Sequence, residues 1–376
     1  MSEQHWSSVA ERSEPSADIV VGLGWGDEGK GATVDALVAS KPTQRVVRFN
    51  GGQQAEHNVI ANGIHHTFSS IGSGAFSNVP TFISKYCTVD PIALENEYVS
   101  LYTKGFGATV YVDRECLVTT PIHIAANIIR ERENGHGTTG TGFGETVYYA
   151  IEHHALRAKH LHNADLILVH LRELRDFYIG AGFFSKDTFS YSMLREIAMR
   201  IFVSAKTFHI ISHNMLLDEI SYGHTVFEGA QGFVLDENFG FNPHTTWSTT
   251  TPANARKLLR DAGVDNVRAI GCLRTYATRH GNGPLPLEGS LPMMPEELHN
   301  GSHGVQGAFR VAPHDMDIVN WAIDMTGVDS LAVSHYDVFN GLYTSAGIVE
   351  ELSKPIIIKA NGPRREDRIF TWKQQS

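Results

Sequence analysis

Cysteine is scarce. The 376-residue chain carries three, Cys87, Cys116 and Cys272, far apart and odd in number. That excludes a disulfide framework and closely spaced zinc ligands, and it points to a reducing, cytoplasmic setting. Positive charge is not in excess either. Lys and Arg number 31 against 41 Asp and Glu, a formal net charge of −10, which argues against broad binding to nucleic acid or an anionic membrane. No apolar run approaches the roughly 18 residues of a membrane helix. Residues 1–17 are polar, with charges of both signs and no apolar h-region, and read as a disordered leader, not a signal peptide. Repeats, low-complexity tracts and proline-rich linkers are missing too, so residues 18–376 read as a single large α/β domain.

What is present in excess is glycine and histidine, 35 and 20 residues. The glycines cluster beside polar residues, as they do where backbone approaches a nucleotide. Ala17-Asp18-Ile19-Val20-Val21 predicts a strand ending at Gly22. Residues 32–40 predict a helix, and residues 45–49 a second strand running into Gly51-Gly52. This is a strand–loop–helix–strand unit with its loop at the carboxyl end of a strand. Similar apolar runs occur at residues 166–169, 209–211, 226–227, 267–270, 331–333 and 356–358, with helical stretches such as 191–208 between them. The pattern predicts an α/β fold with a large, mainly parallel central sheet flanked by helices.

The first loop reads Gly24-Trp25-Gly26-Asp27-Glu28-Gly29-Lys30-Gly31. Its Gly-x4-Gly-Lys spacing is that of a phosphate-binding loop. Glycines let successive N–H groups face one anion, Lys30 adds a point charge, and the following helix adds its dipole. A P-loop places Ser or Thr after the lysine to hold Mg2+; here Gly31 follows. The loop carries instead a carboxylate, Asp27, within reach of a metal or a reacting proton. The bland alternative is a turn with a solvated Asp-Glu-Lys cluster.

Trp25-Gly26-Asp27-Glu28-Gly29-Lys30-Gly31 resembles the signature of adenylosuccinate synthetases, and the resemblance extends over most of the chain. Arg48-Phe49-Asn50-Gly51-Gly52 leads into Gln53-Gln54-Ala55-Glu56-His57-Asn58, where the family has His-Asn-Ala-Gly-His-Thr. Gly137-Thr138-Thr139-Gly140-Thr141-Gly142 resembles its nucleotide-phosphate segment. Phe227-Glu228-Gly229-Ala230-Gln231-Gly232, Thr278-Arg279-His280-Gly281-Asn282-Gly283-Pro284 and Asn361-Gly362-Pro363-Arg364-Arg365 follow in order. The resemblance implies a P-loop-related fold, a homodimer, and a ligase using Mg2+ and a nucleoside triphosphate. Its reaction joins L-aspartate to C6 of a 6-oxopurine nucleoside monophosphate through a 6-phosphoryl intermediate. By the same resemblance, Asp27 is the base at purine N1, Lys30 neutralises the transferring phosphoryl group and His57 donates a hydrogen bond to it. The bland alternative for His57 is a surface loop histidine. Asp27 and Glu56 are the implied metal ligands. Gly26, Gly29, Gly31, Gln54, Thr138, Thr139, Gln231, Thr246, Asp337, Gly362 and Pro363 are implied nucleotide contacts, Asp337 as the reader of guanine. Arg310 is the implied cation for aspartate.

The chain also departs from the family. Where Thr-Gly-Arg-x-Arg-Arg is expected it has Val305-Gln306-Gly307-Ala308-Phe309-Arg310. Ala308 stands for an arginine near the ribose hydroxyl, His280 for a small apolar residue beside the sugar, and Gln54 for an asparagine. His335 stands for the lysine whose stem covers the triphosphate base. A partner-subunit arginine falls near His153, and a long insertion is missing. The losses cluster around sugar, aspartate and triphosphate base, while Asp27, Lys30 and His57 stay. The short form resembles the phage-encoded branch that takes dGMP to N6-succinyl-2-amino-2′-deoxyadenylate, a precursor of 2-aminoadenine in DNA, in the host cytoplasm. IMP stays open as the alternative monophosphate, and ATP, dATP and GTP as alternative triphosphates. Rival readings are a P-loop-type nucleotide kinase, against which Gly31 speaks, and an inactive nucleotide-binding regulator, against which the retained Asp27, Lys30 and His57 speak.

Overall fold

A computed structural model describes residues 13–135, 137–292, 307–349 and 351–371. The first strand, β1 (Ser16–Gly22), is apolar toward both faces. Ile19 and Val21 join one core cluster with Val47, Phe227, Ala269 and Leu331. Val20 joins another with Val34, Leu37, Val46, Val226 and Ile270. A strand buried on both sides belongs inside a helix-covered parallel sheet. The sheet also contains β2 (Arg45–Arg48), β3 (Thr81–Ile83), β4 (Val110–Asp113), β5 (His209–Ile211) and β6 (His224–Glu228). It is completed by β7 (Val267–Arg274), β8 (Ser330–Ser334), β9 (Ile356–Ala360) and β10 (Arg368–Phe370). The order is β10-β9-β8-β7-β1-β6-β2-β3-β4-β5, and every pairing is parallel except β9 with β10.

Two expectations are corrected. Residues 1–12 of the expected leader lie outside the described residues, but its end does not behave as a leader. The Ser13 carbonyl accepts from Gly223 N at 2.9 Å, and β1 begins at Ser16, opposite His224. The apolar run 166–169 is not a strand. It lies in the helix Ala164–Gly180, whose buried residues Ile167, Leu171, Leu174 and Tyr178 form a helical stripe. Four apolar residues sample one slice of that stripe, and so short a run does not separate strand from helix. The Asn163 side chain starts the helix by accepting from Asp165 N and Leu166 N.

The helix Lys30–Ser40 crosses one face of the sheet and enters through Gly29, whose φ of 80° is left-handed. A hairpin of His57–Ala61 and Ile64–Phe68 turns at Asn62-Gly63, both at positive φ. It places His57 against that helix, because a Cβ on Gly31 would collide with the His57 side chain. All three cysteines are free and buried. Among the described residues no helix is long and apolar enough to cross a membrane.

The chain's end is tied to this helix by one ion pair. Asp35, wholly buried, accepts from Arg365 Nε at 2.7 Å and Nη2 at 2.5 Å. Burial raises the Asp35 carboxyl above its ordinary pKa, with the guanidinium opposing. Removing Arg365 strands a buried carboxyl, so Arg365→Ala should destabilise the fold by about 3 kcal/mol in urea unfolding. A group whose pKa is raised by folding loses its stabilising contribution as pH climbs past that pKa. The destabilisation is therefore expected to be larger at pH 8 than at pH 5.

Candidate active site

A cavity of about 1050 Å3 opens at the carboxyl ends of β1, β6, β7 and β8, where loops leave a parallel sheet. Its first wall is the loop after β1, shaped by Glu28. That carboxylate is buried, accepts from Gly24 N and Gly26 N through Oε1 at 2.9 Å each, and takes the Lys30 ammonium on Oε2 at 2.7 Å. A Cβ on Gly22 would strike Glu28, and one on Gly232 would strike the Gly24 carbonyl and Gly26 N, so these glycines make room. Glu28 and Lys30 thus form a buried pair, not a solvated cluster.

Asp27, just before Glu28 in sequence, points the other way and lines the cavity with Gly26, Gly29, Lys30 and Gly31. Its φ of 61° is unusual for a residue with a side chain. Arg274 Nε donates to its carbonyl at 2.6 Å, and His280 Nε2 lies 3.1 Å from its Oδ2. Burial works to raise its pKa. The His280 hydrogen bond and the charges of His280, Arg274 and Lys30 outweigh burial and hold the carboxyl below its ordinary value.

His57 is buried on the next wall, not on the surface. Its Nδ1–H donates to Glu228 Oε1 at 2.5 Å. Glu228, at the end of β6, also accepts from Ser73 N at 2.9 Å and Ser73 Oγ at 2.6 Å. Burial opposes its ionisation, but the His57 hydrogen bond and charge, with Arg48 and Ser73, bring its carboxyl down to about 2. An ionised Glu228 fixes the Nδ1–H tautomer and leaves Nε2 for a ligand. The absence of Ser or Thr after Lys30 has a steric reason: Gly31 packs directly under His57 and Ser73.

The segment after the helix Pro121–Asn134 holds Gly137, Gly140 and Gly142, all at positive φ, and runs into the N-terminus of the helix Phe143–Glu152. Thr138 Oγ1 accepts from Asn127 Nδ2 at 3.2 Å, and the Thr139 and Thr141 hydroxyls pair at 3.0 Å. Open N–H groups at a helix start suit an anion. Gln54 is buried in the cavity wall, and neither end of its amide has a partner among the described residues; the Trp25 indole N–H is in the same state. Such groups are costly unless a ligand satisfies them. Gln231, at φ 64°, and Thr246, whose N–H donates to the Leu235 carbonyl at 2.7 Å, complete this side. The far end carries Asp337, exposed on the short helix Tyr336–Phe339, with Gly362 and Pro363. Glu56 lines the cavity with an exposed side chain.

Arg310 is a correction. It does not line the cavity. Its Nε and Nη2 donate to the Gly281 and Gly283 carbonyls at 3.0 and 2.8 Å, and its Nη1 pairs with Glu288 at 2.8 Å. The guanidinium braces the turn below the ribbon, and Val305-Gln306 lies outside the described residues. The arginines that do line the cavity are Arg130, Arg274, Arg279 and Arg368. Arg279 stands inside a motif quoted above but was read for its order alone, and His280 was read as a sugar-side departure without its contact to Asp27. Glu28 and Glu228 were likewise in plain view, and a carboxylate closing an apolar strand is a usable signal. Arg130, gripped by Glu145 at 2.5 and 3.1 Å and stacked over Phe183 at 4.7 Å, has no sequence signal.

The chain is similar to known proteins in sequence and in fold. The adenylosuccinate synthetase family profile matches residues 19–346. The adenylosuccinate synthetase of Nitrosococcus oceani is 30% identical over 345 residues, 86% of this chain and 78% of that protein. That of Francisella tularensis subsp. tularensis is 28% identical over 351 residues, 87% and 78% of the two chains. The fully ligated adenylosuccinate synthetase from Plasmodium falciparum superposes with a TM-score of 0.77 at 18% identity, covering 94% of this chain and 99% of that one. The cyanophage S-2L succinoaminodeoxyadenylate synthetase, bound to dGMP and to dATP as energy donor, gives 0.68 at 17% identity, covering 95% and 96%. These structures share the fold, a large and mostly parallel sheet between helices. With a family match across most of its length, the chain belongs to the adenylosuccinate synthetase family of carbon–nitrogen ligases.

Proposed function

We propose that this cavity joins L-aspartate to C6 of dGMP through a 6-phosphoryl intermediate, giving N6-succinyl-2-amino-2′-deoxyadenylate. The observation that carries the chemistry is one cavity in which the Asp27 carboxylate, the Lys30 ammonium and the His57 imidazole are each fixed by a named partner. The C6 oxygen is amide-like and a poor leaving group. Asp27 takes the N1 proton, the freed electron pair moves through the ring to O6, and O6 bonds to the γ-phosphorus as the bond to the β-phosphate oxygen breaks. A carboxyl held this low accepts the proton in step with phosphoryl transfer, because N1 grows acidic as O6 is phosphorylated. Burial disfavours a charged His57. With Nδ1–H held by ionised Glu228, Nε2 faces the ligand. The arriving anionic phosphoryl favours a proton taken up there from water, so that Nε2–H then donates to it while Lys30 adds its charge. The aspartate amine then bonds to C6, the C6–O bond breaks, and phosphate leaves with the amine's proton.

The donors fit Mg2+: Asp27 and Glu56 supply hard carboxylate oxygens, and among the described residues no group of three His, Cys, Asp or Glu offers an all-protein cage. Held by these two residues, Mg2+ would neutralise charge on the triphosphate. Arg279, on the cavity wall, replaces Arg310 as the cation for an aspartate carboxylate. The dGMP reading rests on Ala308 standing for a ribose-facing arginine, and the fold shared with an enzyme holding dGMP and dATP supports it. IMP is the second reading, favoured by the names of the sequence relatives. For the triphosphate, Asp337 suits guanine donors while His335 lacks the lysine stem, so ATP, dATP and GTP are compared directly. As in its family, the enzyme acts as a homodimer.

The test is a matrix of dGMP, GMP and IMP against ATP, dATP and GTP with Mg2+, with and without aspartate, read by phosphate release. The fastest turnover is expected with dGMP and only with aspartate present. Equal or faster turnover of IMP refutes the dGMP assignment, and phosphoryl transfer with product release in the absence of aspartate refutes the ligase. Asp27→Ala should lower kcat by about 1000-fold; a loss under about tenfold removes Asp27 as the base. Glu228→Gln should lower kcat by about 30-fold with KM for the monophosphate within about threefold, because it disturbs the His57 tautomer and not the binding surface.

A further inference from the structure

Outside the main sheet, Ala277–His280 and Phe309–Ala312 form a two-stranded antiparallel ribbon that follows directly from β7. Asp27 is gripped at two points, by the end of β7 and by this ribbon. Arg274, the last residue of β7, donates Nε to the Asp27 carbonyl at 2.6 Å and Nη1 to Tyr276 Oη at 3.1 Å. His280 places Nε2 3.1 Å from Asp27 Oδ2. The imidazole is itself braced, since it lies opposite Phe309 in the ribbon with ring centroids 4.9 Å apart. Its side chain is 14% exposed against 31% for Asp27, so the contact forms at the inner side of the carboxylate.

A carboxylate attached through a soft terminal torsion presents either oxygen, at a broad range of angles, to whatever approaches. Proton transfer needs one oxygen aimed along one line. Asp27 sits on a left-handed backbone, a conformation that persists only when its surroundings hold it. We propose that His280 is a positioning residue for the reaction: its Nε2–H holds Asp27 Oδ2 and thereby presents Oδ1 to the purine N1–H. The inference rests on the reading of Asp27 as the base. It gives a purpose to an imidazole where a small apolar side chain would leave Oδ2 to water or to the Lys30 ammonium.

The experiment compares His280→Leu, which keeps bulk but no donor, with His280→Gln, whose side-chain amide reaches the place of Nε2, and His280→Asn, whose amide falls short. Each full-length variant is assayed with the monophosphate selected by the matrix above, after thermal unfolding has shown a folded chain. The expected result is a kcat about 30-fold down for His280→Leu and His280→Asn, a KM for the monophosphate within about threefold, and a kcat for His280→Gln within about fivefold of the parent. A His280→Leu kcat within about threefold of the parent, a loss confined to KM, or a His280→Gln variant as slow as His280→Asn each overturns the positioning role. If His280→Leu fails to fold, the Gln and Asn pair alone decides. Failure of the underlying reading looks different: Asp27→Asn would then turn over like the parent, whatever the His280 variants do.

Discussion

Glu28 accepts two backbone N–H groups and the Lys30 ammonium while almost wholly out of water, and the loop after β1 is built around keeping that carboxylate satisfied. An ionised carboxylate stripped of its partners in such a place costs several kcal/mol. The demand fixes Gly22 and Gly232, which clear the space, and it draws the N–H groups of Gly24 and Gly26 inward. With residue 28 turned in, residue 27 is turned out, and its positive φ is the local consequence. The orientation of Lys30 follows as well, since its ammonium is placed by a partner two residues away and not by a bound phosphate.

The same device recurs. Glu228, closing β6, orients His57. Glu145 takes Arg130 on two oxygens and a hydroxyl from Tyr178 at 2.7 Å. In each case a buried carboxylate from a strand, a helix or a pinned loop sets the direction of a cationic or titratable group in the cavity wall, which is how a site reaches tight tolerances on a rigid frame. The arrangement has an electrostatic consequence. Lys30 and Arg130 are already matched by carboxylates, so anion binding leans on the other arginines of the wall, Arg274, Arg279 and Arg368, and on the N-terminus of the helix Phe143–Glu152. This fits a chain with net charge −10 that still handles phosphates.

Legibility in the sequence divided along physical lines. Central strands were readable because burial on two faces leaves continuous apolar runs, as in β1, β6 and β8. The run at 166–169 obeyed the same description while belonging to a helix, since its partners Leu171, Leu174 and Tyr178 lay beyond the run itself. Glycine-rich motifs carried most of the cavity because the constraint they express is local: a turn, a collision avoided, an N–H aimed outward. Arg310 failed for the opposite reason. A guanidinium on a flexible stem of three methylenes goes where acceptors converge, and here the carbonyls of Gly281 and Gly283 take it. Glu28 could be seen but not interpreted, because its burial depends on Gly232, two hundred residues away.

The departures from the family pattern differ in how firmly the fold holds them. Gln54, one of these departures, presents an amide with no partner among the described residues. Exchanging such side chains disturbs no buried pair, so the surfaces that meet sugar, base and monophosphate can change at little cost to folding. Asp27, Lys30 and His57, the groups proposed to react, have no such freedom, because each is held by a specific side-chain partner. His280 breaks this division: it is a sugar-side departure, yet it is bonded to the reacting carboxylate. A change of that kind cannot alter substrate choice alone. On the roles proposed above, it couples the sugar side of the cavity to the aim of Asp27, so that a chain adapting to a different nucleotide must retune both together.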